Sequence, residues 1–110
     1  MTRDDITDKK LLELAAKAAG YFFDGTTLRN TSTDFEYNGW NPLDDDGDAL
    51  RLAVMLGFDV EVGSMARGFV AVRTNTDNWK EFRERHDTDP LAATRRAIVR
   101  AAAEIGRNMT

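Results

Sequence analysis

Asp44, Asp46 and Asp48 stand at alternate positions, a spacing at which carboxylates can present oxygens to a hard cation such as calcium or magnesium. The calcium-loop pattern nevertheless fails. Its twelfth position, counted from Asp44, falls on Met55 instead of a bidentate acid, and Gly47 stands fourth instead of sixth. The same acids can cap a helix, but Asp44, Asp45, Asp46 and Asp48 together exceed what one helix start needs and repel one another, which points to a protein-facing acidic surface. His86 lies among Glu84, Arg85, Asp87 and Asp89, where a carboxylate can orient an imidazole for proton transfer. Neither Ser64 nor Thr94 sits in a nucleophile turn, so His86 reads as an exposed loop residue and no catalytic residue is assigned. The segment from Gly63 to Gly68 is too short for a phosphate-binding loop and lacks its lysine, so it reads as a flexible hairpin. Arg95, Arg96, Arg100 and Arg107 concentrate positive charge near the end of the chain. They suit a solvated helix face with ion pairs, or contact with phosphates or an acidic protein.

Composition narrows these chemistries. With no cysteine, disulfides, thiolate catalysis and cysteine-based metal sites are excluded, and a single histidine removes the usual alternative for transition metals. No metal and no cofactor enter the expectation. Nineteen acidic against fifteen basic residues give a net charge of -4, which disfavours nucleic acid and an anionic membrane surface as partners. The charge is uneven: residues 30 to 61 hold eight acids against Arg51 alone, whereas residues 62 to 110 hold nine basic and six acidic groups. No apolar run approaches the roughly 20 residues that span a bilayer, and the first residues are charged and mixed in sign, unlike a secretion signal. The expectation is an intracellular protein, and 110 residues suit one domain, 1 to 110.

The elements that must position these groups follow from periodicity. A first helix is predicted over residues 8 to 19, capped by Thr7 or Asp5, with Leu11, Leu12, Leu14, Ala15, Ala18 and Ala19 as its apolar face and Gly20 as its stop. In residues 21 to 42, Asp24-Gly25 and Asn38-Gly39 are placed for two-residue hairpin turns between short strands. The aromatic residues of that region serve either as core or as an interaction surface. A second helix begins within Asp44 to Asp48 and ends before Gly57. Strands are predicted over residues 58 to 62, with Phe58, Val60 and Val62 on the buried side, over 68 to 73, and over 79 to 83, where a short helix is the alternative because Trp79 and Phe82 are three apart; the middle strand is central. Residues 74 to 78 read as a turn, and Asp89-Pro90 opens a last helix running to Gly106. The expected architecture is an α+β sandwich, an antiparallel sheet of at least three strands packed by N-terminal, middle and C-terminal helices.

Two runs carry a resemblance. Trp40-Asn41-Pro42-Leu43-Asp44-Asp45-Asp46-Gly47-Asp48-Ala49-Leu50-Arg51-Leu52-Ala53-Val54 resembles a segment of small proteins encoded by phages and prophages. So does Ala92-Ala93-Thr94-Arg95-Arg96-Ala97-Ile98-Val99-Arg100-Ala101-Ala102-Ala103-Glu104-Ile105-Gly106. The order of elements is similar to that of the phage alpha-beta-alpha sandwich proteins. The resemblance implies a bacterial cytoplasm and an accessory role in infection or in a prophage, with no assigned catalytic group. The resulting expectation is a protein that binds a bacterial partner and inhibits a host or antiphage component. Its acidic surface comprises Asp34, Glu36, Asp44, Asp45, Asp46 and Asp48, with Tyr37 and Trp40 as anchors. Two alternatives stand beside it: a small metal-assisted hydrolase using those carboxylates with His86, and a homo-oligomeric structural or assembly protein.

Overall fold

The computed structural model describes residues 7–30, 32–63, 67–75, 79–87 and 89–109. Three helices form where the caps predict them. Thr7 accepts a hydrogen bond from the Lys10 amide at 3.2 Å and opens α1, Asp8–Ala18, which buries Leu11, Leu12, Ala15 and Ala16. Asp45 accepts from the Asp48 amide at 2.8 Å and opens α2, Asp46–Leu56; Gly57, at φ 69°, closes it in the left-handed conformation that a side chain would strain. Asp89 accepts from the Ala92 amide at 3.0 Å and opens α3, Pro90–Arg107, with proline in the first turn where no intrahelical donor is lost. No helix among the described residues is long and apolar enough to cross a membrane.

Two three-stranded antiparallel sheets accompany the helices, giving the expected α+β class with two sheets where one was predicted. The first contains β1, Phe22–Phe23, β2, Thr27–Arg29, and β3, Glu36–Asn38, in that spatial order. The Asp24 carboxylate accepts from the amides of Thr26 and Thr27, both at 2.9 Å, and makes the turn between β1 and β2, with Gly25-Thr26 at its centre, one residue later than the predicted Asp24-Gly25. Asn38-Gly39 makes no hairpin. The Gly39 amide instead donates to the Thr26 carbonyl at 2.7 Å, ending the pairing and sending the chain inward to Trp40.

The second sheet contains β4, Asp59–Glu61, β5, Phe69–Arg73, and β6, Glu81–Arg85, with β5 in the middle and its Val70, Ala71 and Val72 fully buried. Two expectations shift here. Thr74 and Lys80 close the β5–β6 connection, amide to carbonyl at 3.0 Å and amide to Thr74 Oγ1 at 3.0 Å. The third strand therefore starts two residues late and Trp79 lies outside it. Val60 and Val62 were expected to be buried but are exposed, because β4 is an edge strand and α3 lies across β5 and β6. Asp5, Ser64 and the connections over 64–66 and 76–78 lie outside the described residues.

α3 is the centre of the molecule. One side packs on β5 and β6 and the others on α1 and α2, so Ala97, Val99, Ala101 and Ala102 are all buried. The small side chains let α1 approach closely. A Cβ at Gly106 would stand 1.9 Å from the carbonyl oxygen of Leu14, so only glycine fits there.

Candidate functional site

The acids at the start of α2 are divided by helical geometry. Asp48 shares a side of the helix with Leu52, one turn on, and both are buried; Asp48 is 1 % exposed. A buried carboxylate must be paired, and this one is. It accepts from the Tyr37 hydroxyl at 3.0 Å, the Asn41 amide at 2.9 Å and the Arg51 guanidinium at 2.8 Å. The hydrogen bond to Asp48 raises the Tyr37 hydroxyl above its ordinary pKa, and Arg51 is held protonated for the same reason. Asp45 spends its carboxylate on the cap. Asp46 is 2.6 Å from Arg95, which also donates to the Leu43 carbonyl at 2.7 Å and so ties α3 to the loop before α2. Asp44, Asp34 and Glu36 are exposed, and Glu36 lies 3.7 Å from Arg29.

The proposed aromatic anchor Trp40 is not on the surface. It is 7 % exposed and packs edge-on against Phe23 with ring centroids 5.2 Å apart. Sending the chain inward at Gly39 puts the indole in the core. Tyr37 is half-buried, its hydroxyl committed to Asp48. The predicted surface therefore keeps Asp34, Glu36 and Asp44 as outward acids, with Asp45 and Asp46 exposed but engaged, and loses Trp40 and Asp48 to the interior.

His86 was expected in an exposed loop and is buried instead, 3 % exposed, after the end of β6. Its amide donates to the Gly68 carbonyl at 2.9 Å, and its Nε2 lies 3.1 Å from the Val62 carbonyl oxygen. Gly68 sits opposite His86 at φ 77°, in the left-handed region that a side chain would strain. The histidine is thus a strut between strands, and the carboxylates of α2 do not join it. Among the described residues no group of three or more metal-ligating side chains converges. The Thr94 hydroxyl donates to the Pro90 carbonyl at 2.8 Å, a bond within its own helix.

A different region assembles where sequence reading saw only one of its walls. Arg96, Arg100 and Arg107 of α3 face β6 across an open trough of about 430 Å³, and β6 contributes Arg83 and Arg85. Arg95, counted with the helix cluster, points the other way to Asp46. Period two puts Arg83 and Arg85 on the opposite side of the strand from buried Phe82, where Arg83 stacks on Phe69, so they border the trough only along the strand's edge. Arg100 crosses the trough, donating to Glu84 at 2.5 Å and to the Arg83 backbone carbonyl at 3.1 Å. Beyond Phe82 and Arg100 the trough continues to Lys80 and Trp79, whose indole is 57 % exposed.

Comparison of the chain with protein-family models, curated proteins and solved structures found no match.

Proposed function

We propose that this chain is a binding protein that docks another protein on the outer face of α2. The observation that carries the reading is the exposure of Leu50, Val54 and Met55 to 63 %, 71 % and 52 % on a helix of only eleven residues. Leu50 and Val54 are four apart and form one stripe. Asp44 stands before it, and the bond from Tyr37 to Asp48 sets β3, with Glu36, beside the helix start. Apolar anchors with an acidic rim fit a partner that offers an apolar groove edged by lysine or arginine. The resemblance to phage accessory proteins supports a bacterial protein as that partner. Bound there, the partner is blocked rather than chemically altered, as an inhibitor of a host or antiphage component would require.

The test is capture from bacterial lysate by the tagged chain and by Leu50→Glu/Val54→Glu and Asp34→Lys/Asp44→Lys variants whose folds are checked by circular dichroism. The apolar pair should abolish capture of a saturable partner, and the acidic pair should weaken it and flatten its salt dependence. Capture unchanged in both variants rejects this face. A mass that rises with concentration and reverts in the apolar variant assigns the stripe to self-association instead. Asp48 is unsuitable for such a map, because reversing a buried, triply bonded carboxylate breaks the fold before it reports on a surface.

A further inference from the structure

The edge of β6 is open in a way its ladder makes explicit. In an antiparallel pair, residues alternate between turning their backbone groups toward the partner strand and turning them away. The bonds from the His86 amide to Gly68 and from the Thr74 amide to Lys80 fix that phase. The register then gives Glu81, Arg83 and Arg85 outward-facing amides and carbonyls. No described strand pairs with that edge, since the sheet runs β4, β5, β6 and stops. The trough runs along it: four consecutive residues, Phe82 to Arg85, line the cavity, which residues with alternating side chains can do only at a strand's edge.

The opposite wall is basic. Arg96, Arg100 and Arg107 fall on one side of α3, each in a partly exposed ion pair, with Asp8 at 3.4 Å, Glu84 at 2.5 Å and Glu104 at 3.9 Å, that an incoming carboxylate can exchange. Arg100 already marks the vacant edge, because its guanidinium donates to the outward carbonyl of Arg83 at 3.1 Å, the bond a neighbouring strand's amide would otherwise make.

We propose that the trough takes an extended acidic peptide, which adds to β6 as a fourth strand of the second sheet and sets alternate carboxylates over Arg96, Arg100 and Arg107. The peptide's amide replaces Arg100 at the Arg83 carbonyl, and the guanidinium, held also by Glu84, exchanges that partner to fork the peptide's carboxylate. Main-chain pairing with Arg83 and Arg85 gives the affinity, and the arginines of α3 select acidic side chains. The exposed Trp79 at the far end receives an apolar residue. This surface is separate from the α2 face, so either can fail alone.

The probe is a labelled peptide of about six residues alternating valine and glutamate, followed by fluorescence anisotropy in low salt against the intact chain. Binding is expected, with a loss of about tenfold or more in Arg96→Glu/Arg107→Glu, which alters only exposed helix positions. Two further peptides carry N-methyl groups on alternate nitrogens in the two phases. One phase should abolish binding and the other leave it, because only one set of amides faces β6. Binding indifferent to both phases overturns strand addition, and a lysine-for-glutamate peptide that binds equally overturns the charge reading. Tighter binding of an oligothymidylate assigns the trough to nucleic acid. A mass that grows with concentration without peptide, and reverts in the arginine variant, assigns it to a second copy. No binding of the glutamate peptide by the folded chain rejects the proposal outright.

Discussion

Asp48 of α2 and Arg96 of α3 are both charged groups on helices, yet Asp48 is 1 % exposed under three hydrogen bonds while the Arg96 side chain is 45 % exposed beside an open trough. At the acidic end most of the charge is consumed by structure: Asp45 caps, Asp46 ties down α3 through Arg95, and Asp48 closes a buried cluster. At the basic end the arginines line a gap between a strand edge and a helix. A net count of charges along the chain therefore says little about which charges remain open to solvent. What matters is how the fold satisfies each charge: the trough arginines are ion-paired too, Arg96 with Asp8, Arg100 with Glu84 and Arg107 with Glu104, but in partly exposed pairs, whereas Asp48 is buried.

The largest test of that contrast lies within the acidic run itself. Asp48→Ala leaves the Tyr37 hydroxyl and the Asn41 amide without their acceptor and is expected to lower stability by about 3 kcal/mol. Asp45→Ala removes only a cap and should cost about 1 kcal/mol. Asp44→Ala should fall within about 0.5 kcal/mol of the parent. Urea midpoints at unchanged m-value measure all three. Equal effects across the run would show that the acids act as a solvated patch and not as graded structural groups.

How much of this was legible follows the same physics. The helices were readable because Thr7, the Asp44–Asp48 run, Gly57 and Asp89-Pro90 are local signals that act on their own backbone. The central strand β5 was readable because apolar residues on both sides of a strand require cover on both sides. The two- and three-residue strands of the first sheet were not delimited, since strands that short owe their existence to pairing and packing rather than to propensity. Val60 and Val62 have the alternation of a half-buried strand, but alternation says nothing about whether the strand is at an edge. At the site, Asp48 was separable from Asp44 by its four-residue spacing to Leu52, whereas the trough needed the edge of β6 and Arg96, which only the packing of β6 on α3 brings together.

A smaller effect separates the two regions through the helix they share. Gly106→Ala places a methyl group against the Leu14 carbonyl, so the last turn of α3 must move away from α1. Overpacking of this kind costs about 2 kcal/mol. Arg107 and Glu104 move with that turn, while Arg95, three turns earlier, stays on Asp46. Amide chemical shifts should therefore change in the last turn of α3 and in α1, and remain fixed at Asn41 and Asp48. Shifts spread evenly over both ends would mean that α3 moves as a rigid rod and that the two regions are mechanically one.

The weakest expected effect concerns the outer side of the second sheet, where acids and arginines alternate in the open. Arg73 bonds Glu61 at 2.6 Å and Glu81 at 3.2 Å, and Arg83 also bonds Glu81. The Arg73 hydrogen bond, with Arg67 nearby, holds the Glu61 carboxyl below its ordinary pKa of 4.5. Arg83 foremost does the same for Glu81, and Lys80 for Glu104. A carboxylate whose folded pKa is depressed stabilises the fold above its unfolded value, and the contribution disappears as pH falls through the folded one. Stability should therefore decline below about pH 4.5, gently, because water and salt screen pairs this exposed. Arg73→Gln removes the leading cause at Glu61 and should make the acid-side decline shallower in urea midpoints taken from about pH 6 to about pH 3. An unchanged slope would place the acid sensitivity outside the Arg73 cluster.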